Sequence, residues 1–451
     1  MKRSGLTLAL ILAMALPLAA SCATPTPTPT PRPPPVKAIA TVMPKFRDPV
    51  TIVFWHSEPE GTPGARLLDD LIRQFHREHP WITVRAAYVG NYEDGYRKAL
   101  AAFRAGNPPD VAATYEYHIA ELMGAGAIVP LDPYVNDPQI GLTDEDRADI
   151  LVGFWETSRY SEFGSSILSL PYAKGALALY YNLTALKGAG IDTPPKTWDE
   201  FEQACQAVTG GEVSGYAYVE RATTFVGWLY SRGASLLGNG DTRAVFNGPE
   251  GVEALELLNR LLASGAAVRP EGEHADRAMF AAGQAVFTMD STSALPAYAR
   301  AIEEAGLDFE WGSAPIPQQD PSKARTVLYG PSLYIFKTDE ARQQAAWRFI
   351  RWLTDTTQNA RWASTLGYAP LRRSAVEWLA ESGWLADNQV AREVYETVIP
   401  GALPEPNLRG EQEVRRAIED AWLASAGGVK PPQQALDEAV GKANQVLGST
   451  R

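Results

Sequence analysis

Cysteine is nearly absent: Cys22 and Cys205 are two in 451 residues. Two thiols cannot frame a disulfide-stapled fold or close a four-ligand zinc site. Histidine is scarce too. His76 and His79 stand three apart, but Arg77-Glu78 between them is not the metalloprotease order, and the pair reads as a solvated helix face. Basic charge is in deficit: 41 Lys plus Arg against 53 Asp plus Glu leave a net charge of -12. That balance argues against nucleic acid and against electrostatic docking on anionic lipid, since both partners demand a basic footprint. Catalytic signatures are missing as well. There is no Gly-x-Ser-x-Gly elbow, no Walker A loop and no Cys-x-x-Cys, and Gly188-Ala-Gly190 lacks the third glycine of a dinucleotide fingerprint. No metal or cofactor is expected. With 53 acids, a carboxylate pair for glycoside hydrolysis stays open as a remote alternative.

Long apolar runs are also missing, with one short exception at the start. Lys2 and Arg3 precede an apolar run from Leu6 to Leu16 and then the small residues Ala19, Ala20 and Ser21 before Cys22. This is the pattern of a secretory signal, residues 1–22, and it is too short to cross ~30 Å of hydrocarbon as a permanent helix. Ala20-Ser21-Cys22 resembles a bacterial lipobox, with Ala19 where leucine is usual, so Cys22 is the expected lipidation site. Residues 23–47 follow as a Pro/Thr-rich linker with seven prolines between Pro25 and Pro35. Proline fixes φ and removes backbone donors, so this stretch is expected to be an extended spacer. Signal, cysteine, spacer and body in that order imply an exported, membrane-anchored protein.

The body alternates strand and helix signals. Val50-Thr-Ile-Val-Phe-Trp55 is a β-branched and aromatic run. Leu67, Leu68, Leu71, Ile72 and Phe75 recur at helical spacing, and Ile82, Val84 and Ala86 alternate as a second strand after Pro80. Strand, helix, strand predicts a right-handed parallel crossover. Thr197 to Glu200 has capping-box spacing ahead of an apolar face formed by Phe201, Ala204, Cys205 and Val208, which places Cys205 in the core as a small hydrophobe. Thr338-Asp339-Glu340 opens another helix with the stripe Ala346, Phe349, Ile350 and Leu353. Roughly 400 residues of this pattern predict two α/β domains.

Three segments carry a family resemblance. They are Leu170-Pro-Tyr-Ala-Lys-Gly-Ala-Leu-Ala-Leu-Tyr-Tyr-Asn182, Ala189-Gly-Ile-Asp-Thr-Pro-Pro-Lys-Thr-Trp-Asp-Glu200 and Met279-Phe-Ala-Ala-Gly-Gln-Ala-Val-Phe287. With them, residues 50–447 resemble the extracellular solute-binding proteins of ABC importers, in the large sugar-type group. Phe54-Trp-His-Ser57, Gly90-Asn-Tyr-Glu93, Ala101-Ala-Phe-Arg-Ala-Gly-Asn107, Gly367-Tyr-Ala-Pro370 and Pro431-Pro-Gln-Gln-Ala-Leu-Asp437 are similar to its glycerol-3-phosphate-binding branch. The resemblance implies a two-lobed α/β fold of the type II periplasmic-binding-protein kind, with hinge crossovers and a ligand cleft between the lobes. Crossings are expected near Lys174, Ser291 and Thr338. That gives 48–173 plus 292–338 as lobe one and 174–291 plus 339–451 as lobe two.

The family's ligand positions map by resemblance onto Tyr92, Glu116, Ser291, Gly330, Tyr368 and Arg409. A fork of guanidinium donors suits phosphate oxygens, and an acceptor-only carboxylate suits vicinal hydroxyls. Two positions depart from the family. Gly175, preceded by Lys174, stands where a phosphate-binding serine is usual. Tyr218-Val-Glu-Arg221 stands where an aromatic lid is usual, bringing Glu220 into the expected set. The implied function is capture of glycerol 3-phosphate, a related phosphorylated polyol or a glycerophosphodiester. The alternative is a sugar or oligosaccharide. The implied partners are the small solute and the membrane permease subunits with their ATPase, with the binding protein itself a monomer.

Overall fold

In the strand Gly175–Asn182 every residue is buried, and its side chains alternate between two cores. Ala176, Ala178 and Tyr180 face one hydrophobic cluster, while Leu177, Leu179 and Tyr181 face the other. Successive strand residues point to opposite faces, so a continuous apolar run is what a strand covered on both sides requires. The computed structural model describes residues 49–449 except 239, 241 and 273. The signal segment, the linker and Cys22 lie outside the described residues.

Two sheets organise the chain. The five-stranded sheet has the order Ile82–Tyr88, Val50–His56, Val111–Thr114, Ser332–Ile335, Leu170–Pro171. Its first three strands are parallel, and the expected strand–helix–strand unit lies within it as the helix Pro63–Glu78 between two parallel strands. The seven-stranded sheet runs Ala267–Val268, Ser214–Ala217, Ala285–Ser291, Gly175–Asn182, Thr326–Tyr329, Ala402–Pro404. Trp311–Pro315 shares the second edge of Gly175–Asn182 with Thr326–Tyr329.

The expected helices form where their caps predict. Thr197 and Glu200 make a reciprocal capping box at the start of Trp198–Val208. Asp339 caps Glu340–Leu353 through the Arg342 amide. Cys205 is wholly buried, and burial pushes its thiol well above the ordinary range. His76 is not a bystander on a wet face: its Nε2 accepts from the Val84 amide at 2.9 Å and ties helix to strand.

Sheet membership corrects the expected division of the chain. Residues 292–338 do not all join the first sheet, because Trp311–Pro315 and Thr326–Tyr329 pair into the second. The helix Glu340–Leu353 packs on Val50–His56 rather than on the second sheet. Phe349 meets Phe54 at 5.3 Å and Phe75 at 5.1 Å. The chain therefore does not cross at Ser291 or at Thr338. It crosses at 172–174, between Leu170–Pro171 and Gly175–Asn182, at 330–331, between Thr326–Tyr329 and Ser332–Ile335, and a third time between the helix Glu340–Leu353 and Ala402–Pro404, which returns to the second sheet. The first two crossings are antiparallel neighbours, with Pro171 opposite Ser332 and Gly175 opposite Tyr329. Ala369 lies beside them, its amide donating to the Lys174 carbonyl at 2.8 Å. Short strands such as Trp311–Pro315 have no period long enough to declare which sheet they join.

Candidate functional site

The crossings, the end of Ala285–Ser291 and the start of the helix Glu116–Gly124 converge on one region. Tyr115 is the N-cap of that helix and Glu116 its first residue, a position where the helix dipole favours a carboxylate. Glu116 accepts from Lys174 Nζ and from Ser332 Oγ at 2.7 Å. Lys174 is fully buried and also donates to the Gly330 carbonyl at 2.5 Å. Burial pulls the lysine pKa down, and the adjacent Glu116 opposes that shift. Lys174 is thus consumed by protein contacts, and its work is to hold Glu116.

Gly330 has φ +133°, and a Cβ there would strike the Ala173 carbonyl of the neighbouring crossing. Only glycine fits where the two crossings touch. Gly175 solves a similar problem, since a Cβ there would collide with Ser291 Oγ. Ser291 Oγ lies 2.8 Å from Ser293 Oγ, and the Ser291 carbonyl accepts from the Tyr180 hydroxyl at 2.6 Å. The Tyr329 hydroxyl also hydrogen bonds to Ser291.

Tyrosines line the region. The Tyr92 and Tyr368 hydroxyls hydrogen bond to each other, and burial raises the pKa of both. Tyr92 meets Tyr115 edge-on at 5.7 Å, and Tyr115 stacks on Tyr117 with 10° between the ring planes. Of the expected residues, Tyr92, Glu116, Lys174, Gly175, Ser291, Gly330 and Tyr368 therefore sit around these crossings.

Two expected residues do not join them. Glu220 is held by Arg269, which keeps its carboxyl below the ordinary range. Its neighbour Arg221 is the one that turns toward the Ser291 end: it pairs with Asp276 at 3.1 Å and feels Asp290 and Tyr329. Arg409 is clamped by Glu162 and lies over the Phe163 ring.

Arg415 is the guanidinium beside Tyr115 and Glu116's neighbours. It takes the Glu405 carboxylate at 2.7 and 2.8 Å, donates to Thr223 Oγ1 at 2.5 Å and lies 5.6 Å from the Tyr117 ring centroid. Its signal in the sequence is spacing. Glu411, Arg415, Ile418 and Trp422 recur along one stripe of the helix Glu411–Ala426, so two charges interrupt an apolar face. Glu411 is buried with Oε2 unpartnered, and burial, with Glu405 nearby, raises its pKa well above the carboxylate range. Beside Glu405 opens a polar cavity of about 560 Å³, lined by Arg159, Ser161, Leu236, Pro406 and Asn407 among others. Among the described residues, no group of three or more His, Cys, Asp or Glu is placed to hold a metal ion.

Two sheets joined by adjacent crossings, with polar side chains gathered where they meet, define a two-lobed binding protein. Residues 70–391 match the family of bacterial extracellular solute-binding proteins, and the chain belongs to that family. It is a substrate-binding component of an ABC importer, an exported class of protein that captures a small solute. The chain is 29% identical over 421 residues to the sn-glycerol-3-phosphate-binding periplasmic protein UgpB of Escherichia coli, covering 88% of this chain and 92% of that one. UgpB from Mycobacterium tuberculosis, solved with glycerophosphocholine, superposes with a TM-score of 0.75 at 22% identity, over 89% of this chain and 99% of that one. The cyclic α-maltosyl-1,6-maltose-binding protein of Arthrobacter globiformis gives 0.76 at 22% identity, over 89% and 100%.

Proposed function

We propose that the region between the sheets captures a glycerol phosphate or glycerophosphodiester. The observation that carries this reading is Arg415, a fork of donors set beside the tyrosine cluster and within reach of Glu116's field. A guanidinium matches two phosphate oxygens, and Glu116, Tyr92 and Tyr368 suit the hydroxyls of a glycerol. Ligand phosphate would replace the Glu405 carboxylate on Arg415. Likeness to the glycerol-3-phosphate-binding relative supports the same reading.

A second reading, a neutral sugar, rests on a different observation. Lys174 and Arg415 each already have a carboxylate, and Tyr115 on Tyr117 offers a ring platform. A thermal-shift panel of glycerol 3-phosphate, glycerophosphocholine, phosphate, maltose and trehalose separates the two. Ligand at 100 times Kd adds about 2.7 kcal/mol, which for a body of this size raises Tm by ~2–4 °C. Shifts with the phosphate esters and none with the sugars are expected; the reverse pattern overturns the phosphate reading. Arg415→Ala is expected to abolish the shift, whereas Arg409→Ala leaves it.

The remaining expectations belong with this role. Cys22 carries a lipid and residues 23–47 hold a monomeric body away from the membrane, where a permease receives the solute. Intact-mass measurement of membrane-extracted protein tests the anchor, and a species without the diacylglyceryl mass would remove it.

A further inference from the structure

The helix Ala222–Ser231 starts next to Arg221 and ends ten residues on, at the rim of a second cavity. A ten-residue helix is ~15 Å long, so this cavity stands apart from the tyrosine cluster. Its volume is about 220 Å³. One wall is the turn after the helix, with Ser231, Arg232 and Gly233, and the other is drawn from residues 319–325. The Gln319 amide donates to the Ser231 carbonyl at 2.9 Å and ties the two walls together.

The charge of this cavity runs against that of the chain, whose net charge is -12. Three cations line it, Arg232, Lys323 and Arg325, with one acid, Asp320. Asp320 is already engaged: it pairs with Lys323 at 3.3 Å and accepts from the Ser322 amide at 3.1 Å. Among the described residues, neither Arg232 nor Arg325 has a carboxylate at ion-pair distance.

Arg232 is fixed in place. Its guanidinium lies 3.9 Å from the centroid of the Trp198 ring, and Nη1 donates to the Trp228 carbonyl at 3.2 Å. Trp198 is itself pinned, its Nε1 donating to Ser231 Oγ at 3.2 Å. Arg232 is 7% exposed, yet its Nη2 has no hydrogen-bond partner. Capping the last carbonyls of the helix accounts for Nη1 and leaves Nη2 over. Buried donors in native proteins are nearly always satisfied, so the orphan calls for an acceptor from outside the chain. Burial pulls the Arg232 pKa down to about 9, as befits a cation without a counter-charge. Arg325, on the other wall, is anchored through its backbone. Its amide donates to Gln318 Oε1 at 2.8 Å, and its carbonyl accepts from Gln318 Nε2 at 3.0 Å.

We infer that this cavity, in the lobe of the second sheet and separate from the cleft, is a site for a small oxyanion carrying more than one negative charge. A planar guanidinium offers paired donors to two oxygens, and the exposed Lys323 and Arg325 add positive charge. The volume is below the ~300–1,000 Å³ of a pocket that encloses a drug-sized ligand, which favours inorganic phosphate or a small polycarboxylate over a sugar phosphate. Neither Arg232 nor Arg325 is among the cleft residues, so the site stands whichever solute is captured there.

The test is calorimetric titration of phosphate, pyrophosphate and citrate, in chloride buffer, into the unaltered protein, Arg415→Ala and the double variant Lys323→Gln with Arg325→Gln. Both residues of the double variant are exposed, so its Tm is expected to be unchanged. Anion binding is expected to persist in Arg415→Ala and to fall about tenfold or more in the double variant, the loss of one charge-assisted contact. Full affinity in the double variant overturns the site, and loss in Arg415→Ala would then assign the anion to the cleft. Failure of all three anions to bind the unaltered protein overturns it as well. A preference for the phosphates over citrate identifies a phosphate ligand, the reverse a carboxylate, and either supports the site.

Discussion

Lys174 shows how one residue changes meaning once its surroundings are known. As a sequence feature it is a cation next to Gly175, well suited to replace a lost serine on phosphate. In the fold it is wholly buried between Glu116 and the Gly330 carbonyl. Removing one partner of a buried pair leaves an uncompensated charge and typically costs about 3–5 kcal/mol. Lys174→Met is expected to lose stability on that scale in urea unfolding, and a loss below about 1 kcal/mol, the range of exposed pairs, would mean the pair is solvated. Glu58 gives a prediction of the opposite kind. Burial raises its folded pKa from the ordinary carboxylate range to about 7, so the folded protein binds the proton more tightly than the unfolded chain. Its contribution to stability is present below about pH 4.5 and is lost as pH rises toward 7. Glu58→Gln removes that loss and is expected to stabilise the ligand-free protein at pH 8 relative to pH 4 by about 1–3 kcal/mol. Equal pH profiles of variant and unaltered protein would refute it. Gly330→Ala combines a positive φ with a carbonyl clash and is expected to cost about 1–3 kcal/mol or more, measured the same way.

At the scale of elements, much of the fold is legible in the residues. The run Val50 to Trp55, the stripe from Leu67 to Phe75 and the alternation from Ile82 to Ala86 form a strand, a helix and a parallel strand. Thr197 and Glu200 announce their helix by a local exchange of hydrogen bonds, which needs no tertiary partner. Thr197→Ala should therefore cost about 1 kcal/mol by denaturant unfolding, with no effect on ligand affinity. Sheet membership was not legible. Trp311–Pro315 and Thr326–Tyr329 are short, and which sheet they join depends on pairing with Gly175–Asn182, far away in the chain. The site divides in the same way. Tyr92, Glu116, Ser291, Gly330 and Tyr368 lie in segments with strong local likeness to the family. Arg409 and Arg415 lie in a stretch where spacing drifts, and local likeness favours the first. Helical spacing from Glu411 to Trp422 puts the second on the buried stripe.

For the whole molecule, capture of a solute means a shift between open and closed arrangements of the two lobes, and a ligand moves that balance only by its preference for the closed form. Small-angle scattering is expected to show a smaller radius of gyration with saturating glycerophosphocholine than without it. An unchanged radius alongside measurable binding would mean the lobes do not move. The crossings bear on what such a motion can be. Residues 172–174 and 330–331 run side by side, paired at Pro171–Ser332 on one flank and Gly175–Tyr329 on the other, with Lys174 bridging them inside. Two antiparallel pins set that close leave a door only one way to swing. Sliding and twisting would break the pairing on one flank, so closure is confined to a single angular coordinate, and an engineered change at either pin should alter how far the door opens without changing its path.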